Sequence, residues 1–187
     1  SLSDNDSLTL LANTIATGAG LSVLIWMFGN ISGAHFNPAV SIVMFFNREL
    51  KGRDCFIYSI VQVSGAISGT LLANYMFGLD LIQFSINTRS GLNLYISEMI
   101  ATFGLLLVIL RVRTVKLELV APAVGLYITS AYWFTSSTSF ANPAVTIGRM
   151  FTDTFTGIDP SNVIFFITSQ LIGAYIALCV NNLLERN

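Results

Sequence analysis

Five stretches of the chain are apolar and long enough to cross a lipid bilayer. A helix rises about 1.5 Å per residue and the hydrocarbon core is about 30 Å thick, so a spanning helix needs roughly 20 residues. Of the 187 residues, 53% are hydrophobic and only 10% are charged, and short polar segments separate the apolar blocks. The predicted spans cover residues 8–29, 56–77, 93–112, 118–135 and 162–184. This pattern predicts an all-α, multi-pass membrane protein.

Two further apolar stretches, 38–46 and 143–152, are helical in character but too short to cross the membrane. Each would rise only about 15 Å. Both follow the same motif, Asn-Pro-Ala-Val, which occurs at Asn37–Val40 and again at Asn142–Val145. Asparagine is a good helix N-cap and proline is favoured at the first helical position. Each motif therefore predicts the start of a half-length helix.

The motif is part of an internal repeat. Each copy is followed by Gln-x-x-Gly-Ala and, twelve residues after its glutamine, by an asparagine: Gln62 and Asn74 in the first half, Gln170 and Asn182 in the second. The glycines of these sequences, Gly65 and Gly173, predict close helix crossings. We interpret the chain as a single transmembrane domain, with an incomplete repeat 1 (residues 1–90) and a repeat 2 (residues 91–187).

Repeat 1 lacks a counterpart of the span at 93–112, and the chain does not begin with Met. We therefore expect the full protein to have six spans, of which this chain contains five. With three spans in each complete repeat, the halves have opposite topology.

The charged residues agree with an alternating topology, because most basic residues then lie on one side, which the positive-inside rule makes cytoplasmic. These residues are Arg48, Lys51, Arg53, Arg111, Arg113, Lys116 and Arg186. The acidic residues Asp4, Asp6, Asp80, Asp153 and Asp159 fall on the other side. Arg89 and Arg149 are the basic residues that break this bias.

Half-helices from two oppositely oriented repeats can enter from opposite faces of the membrane and meet at its midplane. The irregular backbone before each cannot face lipid, so it must be buried or line a water-filled cavity. This predicts a pore, with a midplane formed by Asn37, Pro38, Ala39, Asn142, Pro143 and Ala144. Each helix N-terminus carries about half a positive charge, and asparagine amides can donate to a passing oxygen. The motif therefore favours uncharged solutes over cations.

Other function classes have little support in the sequence. The net charge of −1 gives no reason to expect nucleic acid, and the two cysteines show no metal or disulfide spacing. We predict no metal and no cofactor. One histidine and few carboxylates cannot assemble a nucleophile–base set, so an enzyme is the least favoured reading. Two alternatives remain: a coupled secondary transporter of a small solute, and a structural membrane protein with a closed pore.

The chain resembles the aquaporins of the major intrinsic protein family in "SGAHFNPAV", "FANPAV", "SEMIATFGLLLVIL" and the order of its spans. The resemblance covers essentially the whole chain. It implies an aquaporin-like inverted-repeat helix bundle in the plasma or inner membrane, assembled as a homotetramer with one pore per subunit. Glu98 matches a buried family glutamate that binds loop backbone beside the pore. His35 matches a pore-lining residue on the cytoplasmic side.

The chain departs from the family at the outer selectivity filter. Water-selective members place an arginine directly after the second Asn-Pro-Ala, where this chain has Val145. The other filter positions match Thr17, Ser139 and either Tyr132 or Ser130. Without that arginine, the filter should admit glycerol, urea, ammonia or hydrogen peroxide as well as water. "NPAVTIGRMFTDTFTGI" is similar to a bacterial branch found near arsenic-resistance genes, which adds neutral arsenic acids as candidate cargo.

Arg149 lies four residues beyond Val145, on the same helix face and one turn outward. It could place a cation at the pore mouth, or it could pair with Asp153, four residues further along. We favour the ion pair with Asp153.

Overall fold

The computed structural model describes residues 5–186, and within them the chain forms seven α-helices. In chain order they are α1 (Asp6–Ser32), α2 (Pro38–Phe46), α3 (Gly52–Met76), α4 (Leu92–Val115), α5 (Val120–Phe134), α6 (Pro143–Arg149) and α7 (Val163–Glu185). When the 3-10 turn Leu117–Leu119 is counted with α5, five helices are long and apolar enough to cross a membrane, which confirms the predicted spans. Asp4, placed outside by the charge pattern, lies beyond the described residues.

Helix α1 begins two residues before the predicted span because a polar residue caps it. The Asn5 side chain accepts hydrogen bonds from the backbone N–H groups of Ser7 and Leu8, at 2.9 and 3.1 Å. At the other end Gly33 adopts φ +73°, and its N–H donates to the Gly29 carbonyl. That left-handed conformation suits glycine and ends the helix. Local cap chemistry therefore defines both ends of this span.

The two half-helices begin where the motif predicts. The Asn37 side chain accepts from the Ala39 N–H at 2.9 Å, and the Asn142 side chain accepts from the Ala144 N–H at 2.9 Å. Helix α6 ends at Arg149, three residues before the predicted end. Beyond it the carbonyl of Phe151 accepts from the Asn74 amide at 2.9 Å. The backbone N–H of Ser85, in the loop after α3, donates to the Met150 carbonyl at 3.0 Å, so contacts with α3 and with that loop replace helical hydrogen bonds there.

Helix α2 occupies the centre of the bundle. Its residues Ala39, Val40, Val43 and Met44 are buried and pack in one core cluster with residues of α4, α5 and α7. In contrast, the most apolar segment of α3 has no buried residue. Large apolar side chains on its surface include Phe56, Val61, Leu72 and Tyr75. An apolar exterior of this kind suits a lipid environment.

Glycines allow the long helices to cross closely. A Cβ on Gly173 of α7 would lie 2.1 Å from the Met99 carbonyl oxygen of α4, so the predicted close crossing is present there. Gly18 of α1 and Gly125 of α5 also place backbone against backbone. The crossing predicted at Gly65 is wrong for the described chain, because nothing lies within 4 Å of its added Cβ. No described helix occupies on α3 the place that α4 occupies on α7.

The repeat is also imperfect at its third marker. Asn74 is buried, and its amide holds the outer loop through the carbonyls of Leu81 and Phe151. Asn182, its sequence counterpart, is exposed near the end of α7. The matching spacing of these two asparagines therefore does not reflect a shared structural role.

Candidate functional site

The two half-helices meet end to end, and their capping asparagines join the two repeats. The Asn37 side-chain amide donates to the Ala141 carbonyl at 2.8 Å, and the Asn142 amide donates to the Phe36 carbonyl at 2.9 Å. Each asparagine thus caps its own helix and holds the loop of the other repeat. An amide carries two N–H groups, so each asparagine retains one donor beyond this bond.

The backbone before each asparagine has the same unusual conformation. Phe36 and Ala141, which directly precede the asparagines, have φ +47° and +48°. Ala34 and Ser139, which lie three residues before the two asparagines, have φ +46° and +50°. Non-glycine residues adopt this left-handed region only at a cost of about 1 kcal/mol each, so the surrounding structure must enforce it. The two loops are therefore built to the same plan in opposite halves of the molecule.

Glu98 provides part of that enforcement. The side chain is fully buried in α4 and accepts from the backbone N–H groups of Phe140 and Ala141, at 2.9 and 2.8 Å. It also accepts from the Gln170 amide at 2.6 Å. These contacts are the loop-bracing arrangement that the resemblance implies. The carboxylate is thus satisfied by donors from the loop and from α7.

Four polar residues at the site were not singled out from the sequence as site residues. Gln170 donates to the Thr146 hydroxyl at 2.9 Å, and that hydroxyl donates to the Asn142 carbonyl. In repeat 1, Gln62 donates to the Ser41 hydroxyl at 3.0 Å, and Ser41 donates to the Asn37 carbonyl. The sequence could have identified all four residues, because each occupies a position that both repeats share.

A cavity of about 1040 Å³ runs past both asparagines. Its lining includes Glu49 and Arg113 at one end and Arg149 at the other. Between these ends it contacts most of the predicted pore residues, namely Thr17, His35, Asn37, Tyr132, Ser139, Asn142, Ala144 and Val145. Pro38, Ala39 and Pro143 are buried behind this surface. Open space therefore lies beside the helix junction, where the sequence predicts a polar path, and most of its lining is apolar.

The two candidates for the last filter position differ in whether they line the cavity. Tyr132 is buried, lines the cavity, and its hydroxyl lies 3.4 Å from the Thr17 hydroxyl. Ser130 is exposed and donates to the Tyr127 carbonyl of its own helix. A two-residue step along a helix turns the side chain by about 200°, so only one of the two can face the cavity. That residue is Tyr132.

The favoured ion pair between Arg149 and Asp153 is wrong. Arg149 donates instead to the Tyr132 hydroxyl at 3.1 Å, and its guanidinium carbon lies 4.1 Å from the centre of the Phe140 ring. The Asp153 carboxylate accepts the backbone N–H of Ile86 at 3.1 Å. Because α6 ends at Arg149, the helical spacing that would align the two residues does not continue to Asp153.

Arg89 breaks the charge bias for a structural reason. Its guanidinium donates to the carbonyls of Gly157 and Phe155, at 2.7 and 2.9 Å, and so holds together the loop before α7. Burial and the nearby positive charge of Arg149 lower the pKa of Arg89 to about 10, against the opposing effect of Glu98. Arg89 therefore remains charged at neutral pH.

Several polar side chains lie toward the end of the cavity opposite Arg149. His35 contacts the Ser41 hydroxyl through Nδ1 at 3.1 Å. Glu49 forms a bidentate ion pair with Arg113, with oxygen–nitrogen distances of 2.5 and 2.6 Å. The hydrogen bond from Arg113 lowers the pKa of Glu49, although partial burial opposes the effect. Within residues 5–186, no group of three His, Cys, Asp or Glu side chains is placed to hold a metal ion.

Comparison with known proteins decides the family. The sequence profile described as "Major intrinsic protein" matches residues 1–116. The chain is also 51% identical to aquaglyceroporin AqpS of Rhizobium meliloti over 179 residues, which is 96% of this chain and 77% of that protein. The chain belongs to the major intrinsic protein family. Together with the five apolar spans, this makes it a multi-pass protein of the cell membrane.

Other members of the major intrinsic protein family are more distant. Nodulin-26 of Glycine max is 40% identical over 104 residues, covering 54% of this chain and 38% of that protein. Aquaporin NIP2-1 of Zea mays is 29% identical over 164 residues, covering 83% of this chain and 55% of that protein. The chain thus spans about half, or less, of the length of these two relatives.

Proposed function

We propose that the protein is a passive channel for water and small uncharged solutes such as glycerol and urea. The observation that carries the proposal is the pair of half-helices whose capping asparagines, Asn37 and Asn142, meet beside one cavity. The similarity to a protein named aquaglyceroporin supports a glycerol-type solute. The two repeats act in this proposal as one channel domain.

Exclusion of ions follows from the two helix N-termini. Each carries about half a positive charge, and at about 4 Å with an effective permittivity near 20 the pair repels a monovalent cation by about 4 kcal/mol. That is about a thousandfold exclusion, before any cost of removing water from the ion. The remaining amide donors of Asn37 and Asn142 can bind and orient the oxygen of a neutral solute.

The width of the proposed filter depends on Val145. A valine at this position supplies no charge and less bulk than an arginine, so solutes larger than water can pass. Thr17, Tyr132 and Ser139 line the cavity at this level, so residues with hydroxyl groups border the proposed filter. The same proposal includes neutral arsenic acids as solutes. Their only support is the sequence similarity of the segment that begins at Asn142.

Subunit assembly is proposed from the family resemblance. A homotetramer with one pore per subunit would bury part of the apolar surface of the long helices, and lipid would cover the rest. No Asp, Glu, Lys, Arg or His other than Glu98 lies buried within a span of the described chain. Since its carboxylate is fully hydrogen-bonded to protein, a gradient-coupled transporter is the weaker candidate.

Stopped-flow permeation of the protein in lipid vesicles tests the proposal. We expect vesicles with the protein to shrink and re-swell faster than empty vesicles in glycerol, with no saturation and no response to a proton or sodium gradient. Val145→Arg should slow glycerol by about tenfold while sparing water, since it restores bulk and donors at the filter. Saturating, gradient-driven flux would favour a transporter, and no flux of either solute would favour a closed pore.

A further inference from the structure

We infer that Arg149 supplies the positive charge and hydrogen-bond donors of the outer constriction, in place of the arginine that residue 145 lacks. The inference rests on the proposed channel function. Arg149 is the last residue of α6, one helical turn beyond Val145, and both residues line the same cavity. The guanidinium reaches back toward the filter because its long side chain can cover one turn.

Two contacts hold the guanidinium at the filter. One is the hydrogen bond from Arg149 to the Tyr132 hydroxyl, which in turn lies 3.4 Å from the Thr17 hydroxyl. The other is the Phe140 ring, whose face lies 4.1 Å from the guanidinium carbon. A planar guanidinium stacks well on such a face. Because Tyr132 and Phe140 are both buried, they hold the guanidinium in a fixed position.

The group still has donors to offer a solute. Within residues 5–186, Arg149 Nη1 is buried without a hydrogen-bond partner, and so is the nearby filter hydroxyl of Ser139. Buried polar atoms of this kind normally have a partner. Both atoms lie just beneath the cavity surface, with no room for a water molecule against them, so a small shift of either side chain is needed before it binds a permeating molecule.

The charge at this end of the cavity is not cancelled. Arg89 lies on the same Phe140 ring, with its guanidinium carbon 5.0 Å from the ring centre. Glu98 is the carboxylate that contacts this loop, and its oxygens accept backbone N–H groups. Within residues 5–186, Arg149 forms no ion pair, so no carboxylate neutralises its charge by direct contact. A cation entering from this end therefore meets repulsion before it reaches the asparagines.

Cation and glycerol permeability, measured in vesicles for matched variants, tests the inference. Arg149→Gln keeps amide donors but removes the charge, and we expect it to raise the ratio of sodium to glycerol permeability by about tenfold. Arg149→Lys keeps the charge and should retain the low ratio. Arg53→Gln removes an exposed charge at the start of α3 and serves as the control, which should match the wild type.

Tyr132→Phe provides a variant that keeps the packing if Arg149→Gln fails to fold. It removes only the hydroxyl that anchors the guanidinium, and we expect a smaller rise in the same ratio, about threefold. An unchanged ratio in a folded Arg149→Gln, or in Tyr132→Phe if Arg149→Gln does not fold, would overturn the inference and leave the channel intact. Wild-type vesicles no faster than empty ones would overturn both the proposed function and the inference.

Discussion

At the scale of single residues, Glu98 shows why a carboxylate can lie in the middle of a membrane span. A charged group there is costly unless hydrogen bonds satisfy its oxygens. Three donors do so: the N–H groups of Phe140 and Ala141 and the amide of Gln170. The same bonds hold a loop whose residues have positive φ values. The charge therefore supports a backbone shape that the loop sequence would not adopt alone.

Replacing Glu98 with glutamine should cost stability although the shape hardly changes. One oxygen becomes an NH₂ group, which faces a donor and leaves one buried backbone N–H without an acceptor. We expect Glu98→Gln to lose about 2–3 kcal/mol of unfolding free energy and most of the glycerol permeability. Thermal unfolding in detergent and vesicle permeation measure the two effects. Glu118→Gln, at an exposed position, is the control, and an equal melting temperature in both variants would contradict the bracing role.

At the scale of elements, an ion pair joins the end of one helix to the turn after another. Glu49 follows α2, and Arg113 lies in the last turn of α4. Because α2 is only nine residues long, its orientation depends on such contacts as well as on the Asn37 cap. The pair also lines the end of the cavity opposite Arg149.

The stability that this ion pair contributes should decrease as the pH falls. The pKa of Glu49 is lower in the folded protein than its ordinary value, so its contribution is full at neutral pH. It is lost as pH falls through the lowered folded value. Because both side chains are partly exposed, we expect Glu49→Gln to cost only about 0.5–1 kcal/mol at neutral pH.

Thermal unfolding across pH checks this expectation. The difference in melting temperature between the wild type and Glu49→Gln should close as pH falls below the ordinary pKa of glutamate and through the lowered pKa of Glu49. A difference that persists at low pH would show that packing, not charge, is responsible.

At the scale of the whole molecule, the two repeats share a plan but not all of their partners. Helix α7 is crossed by α4 at Gly173, whereas the corresponding Gly65 of α3 has nothing within 4 Å. Repeat symmetry predicts a further span at this place. The side of α3 that it would cover contributes Gly65 and Gln62 to the cavity lining.

A pair of glycine substitutions tests this symmetry. Gly173→Ala should cost about 1–3 kcal/mol, because its Cβ would overlap the Met99 carbonyl. Gly65→Ala should cost a similar amount in a protein that contains the predicted sixth span, and should have no steric cost in the five-span chain. The melting temperature of each variant, compared with that of its unsubstituted parent, measures both effects. A harmless Gly65→Ala in the six-span protein would refute the symmetric crossing.

The sequence by itself determined the elements and their order. Span length, the asparagine caps and the proline starts depend on a few neighbouring residues and on the thickness of the bilayer, so they can be read locally. The repeat then related the two half-helices, and the role of Glu98 followed from resemblance. The positions that the two repeats share also include Gln62 and Gln170, whose contacts could have been expected from the symmetry of the repeats.

Only the tertiary structure decided which polar groups meet. The asparagine amides bind carbonyls more than 100 residues away in sequence, and the choice of Tyr132 over Ser130 depended on how α5 is turned toward the cavity. The partner of Arg149 changed because α6 stops at that residue, so helical spacing no longer predicts contact with Asp153. Such pairings depend on distances between elements, and hydropathy and local spacing do not encode them.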